Sequence, residues 1–342
     1  MFKRILVPLD GSALAEQAIP HAELFARIFG SKIILLQVLE PTSYHENPKA
    51  VDPLTWQIRK AESDMYLQGL TLRIQKNLGE NLPTKNGKTK SRVDYVIREG
   101  KIAENIVNFA HSEKIDLLVI SSHGSGGLSR WNISSVTQKV INLVYLPVLI
   151  VRAYTQPTMN EELNFYRRIL LPIDSSRRAE CSLSAGIELA RGIPSSDKTQ
   201  DSSGAKSILV LAAVIRPPEL PIPEPFPVEI IQLSDQLIEV SRLAVNQYLH
   251  EMKMRLPVAC ETCVVENKSA ASAIQELANQ EDIDIVVLCA HGHSGQVSWP
   301  YGTISRNYME HGTKPVLVIQ DIPLSQARPT AAEIAAEKSG RR

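Results

Sequence analysis

The chain matches itself. KRILVPLDGS at 3–12 returns as RRILLPIDSS at 167–176, KIDLLVISSHGSGGLSRW at 114–131 as DIDIVVLCAHGHSGQVSW at 282–299, and PVLIV at 147–151 as PVLVI at 315–319. The offset between the copies is nearly the same for all three pairs, so little net insertion separates them. A repeat at this spacing makes each half one structural unit, and 342 residues suffice for two domains that each bury a core. The expected boundaries are a first domain at 1–153, a linker at 154–166, a second domain at 167–321 and a mobile tail at 322–342.

Within each half, short apolar runs alternate with amphipathic stretches of helical period, the pattern of βαβ units around a parallel sheet. In the first copy the runs predict strands at about 2–9, 32–39, 92–98, 116–121 and 147–152, with helices at about 13–29, 54–77, 102–113 and 134–144. ILVPL, IILLQVL, DLLVIS and PVLIV show little polar alternation, as strands covered on both faces do. The second copy repeats the order with ILLPI, ILVLAAVI, ETCVVE, DIVVLCA and PVLVI. The expected class is α/β: two doubly wound domains, each a five-stranded parallel sheet with helices on both faces. Polar or proline-rich loops are expected at 77–92, 194–206 and 216–227.

Composition narrows the function classes. Lys plus Arg number 37 and Asp plus Glu 37, so no global basic field invites nucleic acid. The start MFKRILVPLDGS lacks the apolar core of a signal peptide, and no stretch is apolar for as long as a membrane span requires. The expectation is a cytoplasmic protein without membrane partners. The four cysteines, Cys181, Cys260, Cys263 and Cys289, are too few and too unevenly placed for a disulfide framework. Cys260 and Cys263 form a C-x-x-C, but on a strand, where positions three apart point to opposite faces.

Open parallel sheets bind ligands at the carboxyl ends of their strands, where strand order reverses. The first strand of each copy ends in Asp10 or Asp174, each followed by serine and a helix. Such an aspartate serves either as a helix cap or as a hydrogen-bonding partner for a ligand's ribose or base. The fourth strand runs into a loop with glycines, from Ser121 through Gly124 and Gly127 to Ser134 and Ser135, and from Cys289 through Gly292 and Gly295 to Gly302 and Thr303. Small residues there let a phosphate approach backbone N–H groups and a helix N-terminus, and equally they make a tight connection. His123 and His291 recur in these loops without a nearby carboxylate in the motif, which argues against a base or metal role. No P-loop, nucleophile elbow or H-E-x-x-H is present.

These segments resemble the universal stress protein family, whose ATP-binding members carry G-x2-G-x9-G-[ST] after the fourth strand, and the likeness covers nearly the whole chain. The resemblance implies an adenine nucleotide alpha hydrolase-like fold and a nucleotide-responsive stress protein that binds ATP, with Mg²⁺, and hydrolyses it slowly or not at all. Carried onto this chain, the motif becomes Ser121, Gly124, Ser134 and Ser135 in the first copy, and Cys289, Gly292, Gly302 and Thr303 in the second. Two of three glycines are serine in the first copy; the second loses only the first glycine, although Pro300 removes an amide donor from its loop. The resemblance places Val38 and Val214 near the adenine. It also implies pairing through the last strands PVLIV and PVLVI, giving an internal pseudo-dimer, with a homodimer and a protein partner open. The alternative is an interaction scaffold of the same fold that has lost nucleotide binding, which holds if the side chains of Ser121, Ser134 and Cys289 fill the phosphate position.

Overall fold

A computed structural model describes residues 1–40, 53–79, 82–83, 89–126, 133–153, 163–194, 207–220, 223, 225–293 and 300–322. The expected linker core at 154–162, the tail beyond 322, Gly127, Gly295 and parts of the predicted loops lie outside the described residues. The described chain forms two compact units, one over Met1–Asn164 and one over Phe165–Val297 and Tyr301–Asp321.

In the first unit the strands are β1 (Arg4–Leu9), β2 (Lys32–Leu39), β3 (Val93–Glu99), β4 (Leu117–Ser121) and β5 (Val148–Val151). The helices between them are α1 (Ala18–Phe29), α2 (Pro53–Leu78), α3 (Ile102–Ser112) and α4 (Ser135–Leu143). The sheet order is β3-β2-β1-β4-β5, and every neighbouring pair is parallel. The second unit repeats this with β6 (Arg168–Pro172), β7 (Ile208–Ile215), β8 (Cys260–Glu266), β9 (Ile285–Cys289) and β10 (Val316–Ile319). Its helices are α5 (Leu183–Arg191), α6 (Val228–Arg255), α7 (Ala270–Gln280) and α8 (Thr303–His311). The order β8-β7-β6-β9-β10 is parallel throughout. Strand order therefore reverses between β1 and β4, and between β6 and β9, which sets the crevice at the ends of those strands.

The apolar runs explain the layering. All five residues of β4 and of β9 are buried, whereas β3 and β8 expose much of their length. Matching polar ties hold the strand starts. Asp116 accepts the amide protons of Lys3 and Arg4, both at 2.9 Å, and Asp284 accepts those of Arg167 and Arg168 at 2.6 and 3.1 Å. The helices before β4 and β9 end alike. Lys114 and Asp282 adopt left-handed φ of 50° and 47°. The amides of Ile115 and Ile283 reach back to the carbonyls of Ala110 and Ala278, as they do where a left-handed residue closes a helix.

One expected helix is two. The segment predicted as a helix over 13–29 breaks into a single turn at Ala13–Glu16 and α1, joined at Gln17. Pro20 accounts for the break, because it has no N–H to donate to the Glu16 carbonyl four residues back. Among the described residues no helix is long and apolar enough to cross a membrane.

Candidate functional site

β1 delivers Asp10 to the crevice, and the chain turns through Gly11 at φ 83°. It enters a helical turn that Ser12 caps, the serine hydroxyl oxygen accepting the Ala15 amide proton at 3.2 Å. This is the usual N-cap bond, and Asp10 is thus not the cap. Its Oδ1 accepts from the Ser12 amide at 3.0 Å and the Ser12 hydroxyl at 2.6 Å, while Oδ2 accepts the Ser125 amide at 2.7 Å. Both carboxylate oxygens are engaged, and the second ties the loop after β1 to the loop after β4. Gly124 is required by this contact: a Cβ there would overlap Asp10 Oδ2. Partial burial pushes the Asp10 pKa up, but the hydrogen bonds from Ser12 and Ser125 outweigh it and hold the carboxyl below its ordinary value.

The second unit repeats the tie. Asp174 Oδ1 accepts from the Ser176 amide at 3.0 Å and Oδ2 from the His293 amide at 2.7 Å, and Gly292 leaves the space that the carboxylate fills. Burial again raises, and the Ser176 and His293 hydrogen bonds more than offset it, so this carboxyl too sits below its usual range. The turn differs, however, because Ser175 stands where the first copy has Gly11 and adopts a left-handed φ of 62°.

The two copies diverge at the helix that follows the glycine loop. Ser134 is the N-cap of α4. Its Oγ accepts the Thr137 amide proton at 3.1 Å, and its own amide binds the Ser122 carbonyl at 2.7 Å. Gly302 occupies the same place before α8 and binds the Ala290 carbonyl at 2.8 Å, but brings no side chain to cap the helix. The helices are pinned to their strands by equivalent hydroxyls: Thr137 donates to the Ser121 carbonyl at 3.1 Å, and Ser305 to the Cys289 carbonyl at 2.6 Å. Ser121 and Cys289 are themselves 5% and 7% exposed, with their side chains inside the fold. Ser135 and Thr303, the first helical residues, are exposed.

Val38 and Val214 are half-exposed positions flanked by buried residues near the ends of β2 and β7, so each offers an apolar surface at the sheet's carboxyl edge. Around the aspartates the fold adds groups that the motifs do not show. Tyr66 and Tyr248, from the long helices α2 and α6, donate to Glu16 and Glu180, each at 3.0 Å. Burial, then the Glu180 carboxylate, pushes the Tyr248 hydroxyl up to about 12, and burial and Glu16 raise Tyr66 in the same way.

The histidines depart from the sequence expectation. His291 has a carboxylate in reach after all: its Nδ1 lies 2.7 Å from Asp321 Oδ1, thirty residues on and beyond the end of β10, with both side chains buried. Arg178 lies 3.8 Å from the other Asp321 oxygen. In the first copy His123 Nδ1 meets the Ser122 hydroxyl at 3.0 Å instead, and that same hydroxyl accepts the Ala153 amide at 3.1 Å. Among the described residues no group of three or more His, Cys, Asp or Glu side chains is placed to hold a metal ion.

The sequence profile of the universal stress protein family matches residues 1–152 and again 165–320. The chain belongs to the universal stress protein family, in two consecutive copies. A universal stress protein of Methanocaldococcus jannaschii is 29% identical over 157 residues, covering 44% of this chain and 96% of that protein. One from Mycolicibacterium smegmatis is 23% identical over 320 residues, covering 92% of this chain and 96% of its own length, so the likeness runs through both copies. The crystal structure of a universal stress protein from Archaeoglobus fulgidus covers 93% of this chain and 98% of its own, at 16% identity and a TM-score of 0.54, which supports the fold.

Proposed function

We propose that this universal stress protein binds ATP in the crevice of its second copy and acts as a nucleotide-responsive binding protein, with the first copy serving as a scaffold. The observation that carries this reading is the contrast at one position. Ser134 turns its hydroxyl onto the first turn of α4, occupying a backbone donor that a phosphate would use, whereas Gly302 leaves the first turn of α8 without a side-chain cap. Helix N-termini favour anions because their first N–H groups have no helical partner. The exposed Thr303 hydroxyl stands beside those groups and Val214 offers an apolar surface to a base. Asp174 spends its oxygens on Ser176 and His293 amides, so Mg²⁺ would travel with the phosphates rather than sit in a protein cage. The side chains of Ser121 and Cys289 are buried, which is consistent with this use.

The test exchanges the two residues. Calorimetric titration of ATP with Mg²⁺ into the full chain is expected to show one site. Gly302→Ser should weaken it by about tenfold, equivalent to about 1.4 kcal/mol, while Ser134→Gly should leave it intact or add a second, weaker site. Absence of heat and of thermal stabilisation at saturating ATP assigns the scaffold reading to both copies.

A further inference from the structure

Cys181 and Cys289 are 108 residues apart in sequence, yet their sulfur atoms lie 3.1 Å apart. Cys181 sits in the single 3-10 turn Ala179–Ser182 that follows the Asp174 loop, and Cys289 is the last residue of β9. A disulfide bond is about 2.05 Å long, so closure asks the two sulfurs to approach by about 1 Å. Both cysteines are free, Cys181 partly exposed and Cys289 buried. The first copy supplies a contrast at the same two positions. There Gln17 and Ser121 stand in place of Cys181 and Cys289, and Gln17 Oε1 and Ser121 Oγ are buried without a hydrogen-bond partner among the described residues. Of the two copies, only the second carries thiols at these positions.

We propose that Cys181 and Cys289 form a reversible intramolecular disulfide under peroxide, which makes the second copy a thiol switch. Cys181, the accessible member, meets the oxidant first. Its thiolate attacks one peroxide oxygen, the O–O bond breaks, and the departing hydroxide takes up the proton that Cys181 released, leaving Cys181 as a sulfenic acid. The Cys289 sulfur then attacks the Cys181 sulfur, an S–S bond forms, the S–O bond breaks, and the departing hydroxide takes the Cys289 proton. The two cysteines lose two electrons, the peroxide gains them, and two waters result. Cys289 is buried against Cys181 and shielded from the oxidant, so it resolves the reaction rather than starting it. The bond joins the turn after Asp174 to the end of β9, whose carbonyl also holds Ser305 of α8, so it restrains both sides of the crevice. An effect on ATP affinity rests on the function proposed above; the disulfide itself does not.

The test treats the full chain with stoichiometric hydrogen peroxide, blocks remaining thiols under denaturing conditions and maps peptides by mass spectrometry. The expected product is a Cys181–Cys289 cross-linked peptide that dithiothreitol reverses and that persists in the Cys260→Ser/Cys263→Ser double variant. Cys181→Gln and Cys289→Ser import the first copy's residues at these positions. Each is expected to keep the native circular dichroism spectrum and abolish the cross-link, and Cys289→Ser should leave a sulfenic acid at Cys181 that dimedone captures. Cross-links through Cys260 or Cys263 instead, or conversion of Cys181 to sulfinic acid with no cross-link in the wild-type chain, overturn the proposal. ATP titration of the oxidised chain is a separate readout: an unchanged titration with the cross-link present removes only the link to nucleotide.

Discussion

The Asp10 carboxylate accepts the Ser125 amide proton at 2.7 Å across 115 residues of chain, and Gly124 beside it lacks the Cβ that would displace the carboxylate. A motif glycine that sequence reasoning assigns to phosphate approach is thus already committed to an internal partner. The same holds for Gly292 against Asp174.

A double-mutant cycle tests this pairing. Gly124→Ala is expected to cost about 1–3 kcal/mol, because the new methyl displaces a hydrogen-bonded carboxylate. In an Asp10→Ala background most of that cost should vanish, giving a coupling energy of at least about 1 kcal/mol by urea unfolding. Additive single effects would show that Gly124 is needed for its backbone alone.

Acid titration probes the same clamps. The Asp10 and Asp174 carboxyls are held below their ordinary pKa when folded. Each therefore contributes stability that is fully present above the unfolded value of about 3.9 and is lost as pH falls through the folded value. The stability gap between the wild-type chain and Asp10→Ala should be constant from neutral pH to about 5 and narrow below about 4. A gap that persists unchanged to about pH 2 would place the cost of the substitution in packing.

Ser175 is a strained residue that the first copy avoids with Gly11. An L-residue in the left-handed region costs about 1–2 kcal/mol, and glycine returns about half of that through the entropy of the unfolded chain. Ser175→Gly is expected to stabilise the second copy by about 0.5–1 kcal/mol, raising its melting temperature by about 1–4 °C. Because Ser175 is exposed and its φ is 62°, no packing loss should mask the gain. A fall in melting temperature would mean that its side chain holds the turn.

Much of the fold was legible in sequence because it is local. Runs such as DLLVIS fall on β4, and the second copy repeats the same sequence of strands and helices along the chain. What escaped is what the fold brings together from afar. Asp10 next to Ser12 reads as a cap, since nothing local announces Ser125, and the actual cap is Ser12. Cys181 and Cys289 sit in unrelated segments, and the stretch 13–29 concealed the break that Pro20 imposes. At the site, the serine-for-glycine changes were visible, but their effect depends on where a hydroxyl turns: Ser134 caps its own helix, while Ser121 is buried in the sheet.

The buried His291–Asp321 pair was missed for the same reason, its members separated by β10 and by α8. The first copy solves the same problem differently, and the difference yields a transplant. Ser122 there binds both His123 and the Ala153 amide; in the second copy Ala290 stands in place of Ser122 and Asp321 in place of Ala153. Asp321→Ala strips a buried ring nitrogen of the carboxylate 2.7 Å away. That substitution is expected to cost about 1–3 kcal/mol. Adding Ala290→Ser to that variant recreates the first copy's hydroxyl at the position that serves both the histidine and the backbone, and should restore at least half of the loss in urea unfolding. Ala290→Ser alone, with Asp321 in place, puts a hydroxyl at a fully buried position beside a ring that already holds its carboxylate, and should cost about 1–3 kcal/mol. If the double variant is no more stable than Asp321→Ala, the carboxylate acts through its charge, with Arg178 at 3.8 Å as its counterpart, and no neutral hydroxyl replaces it.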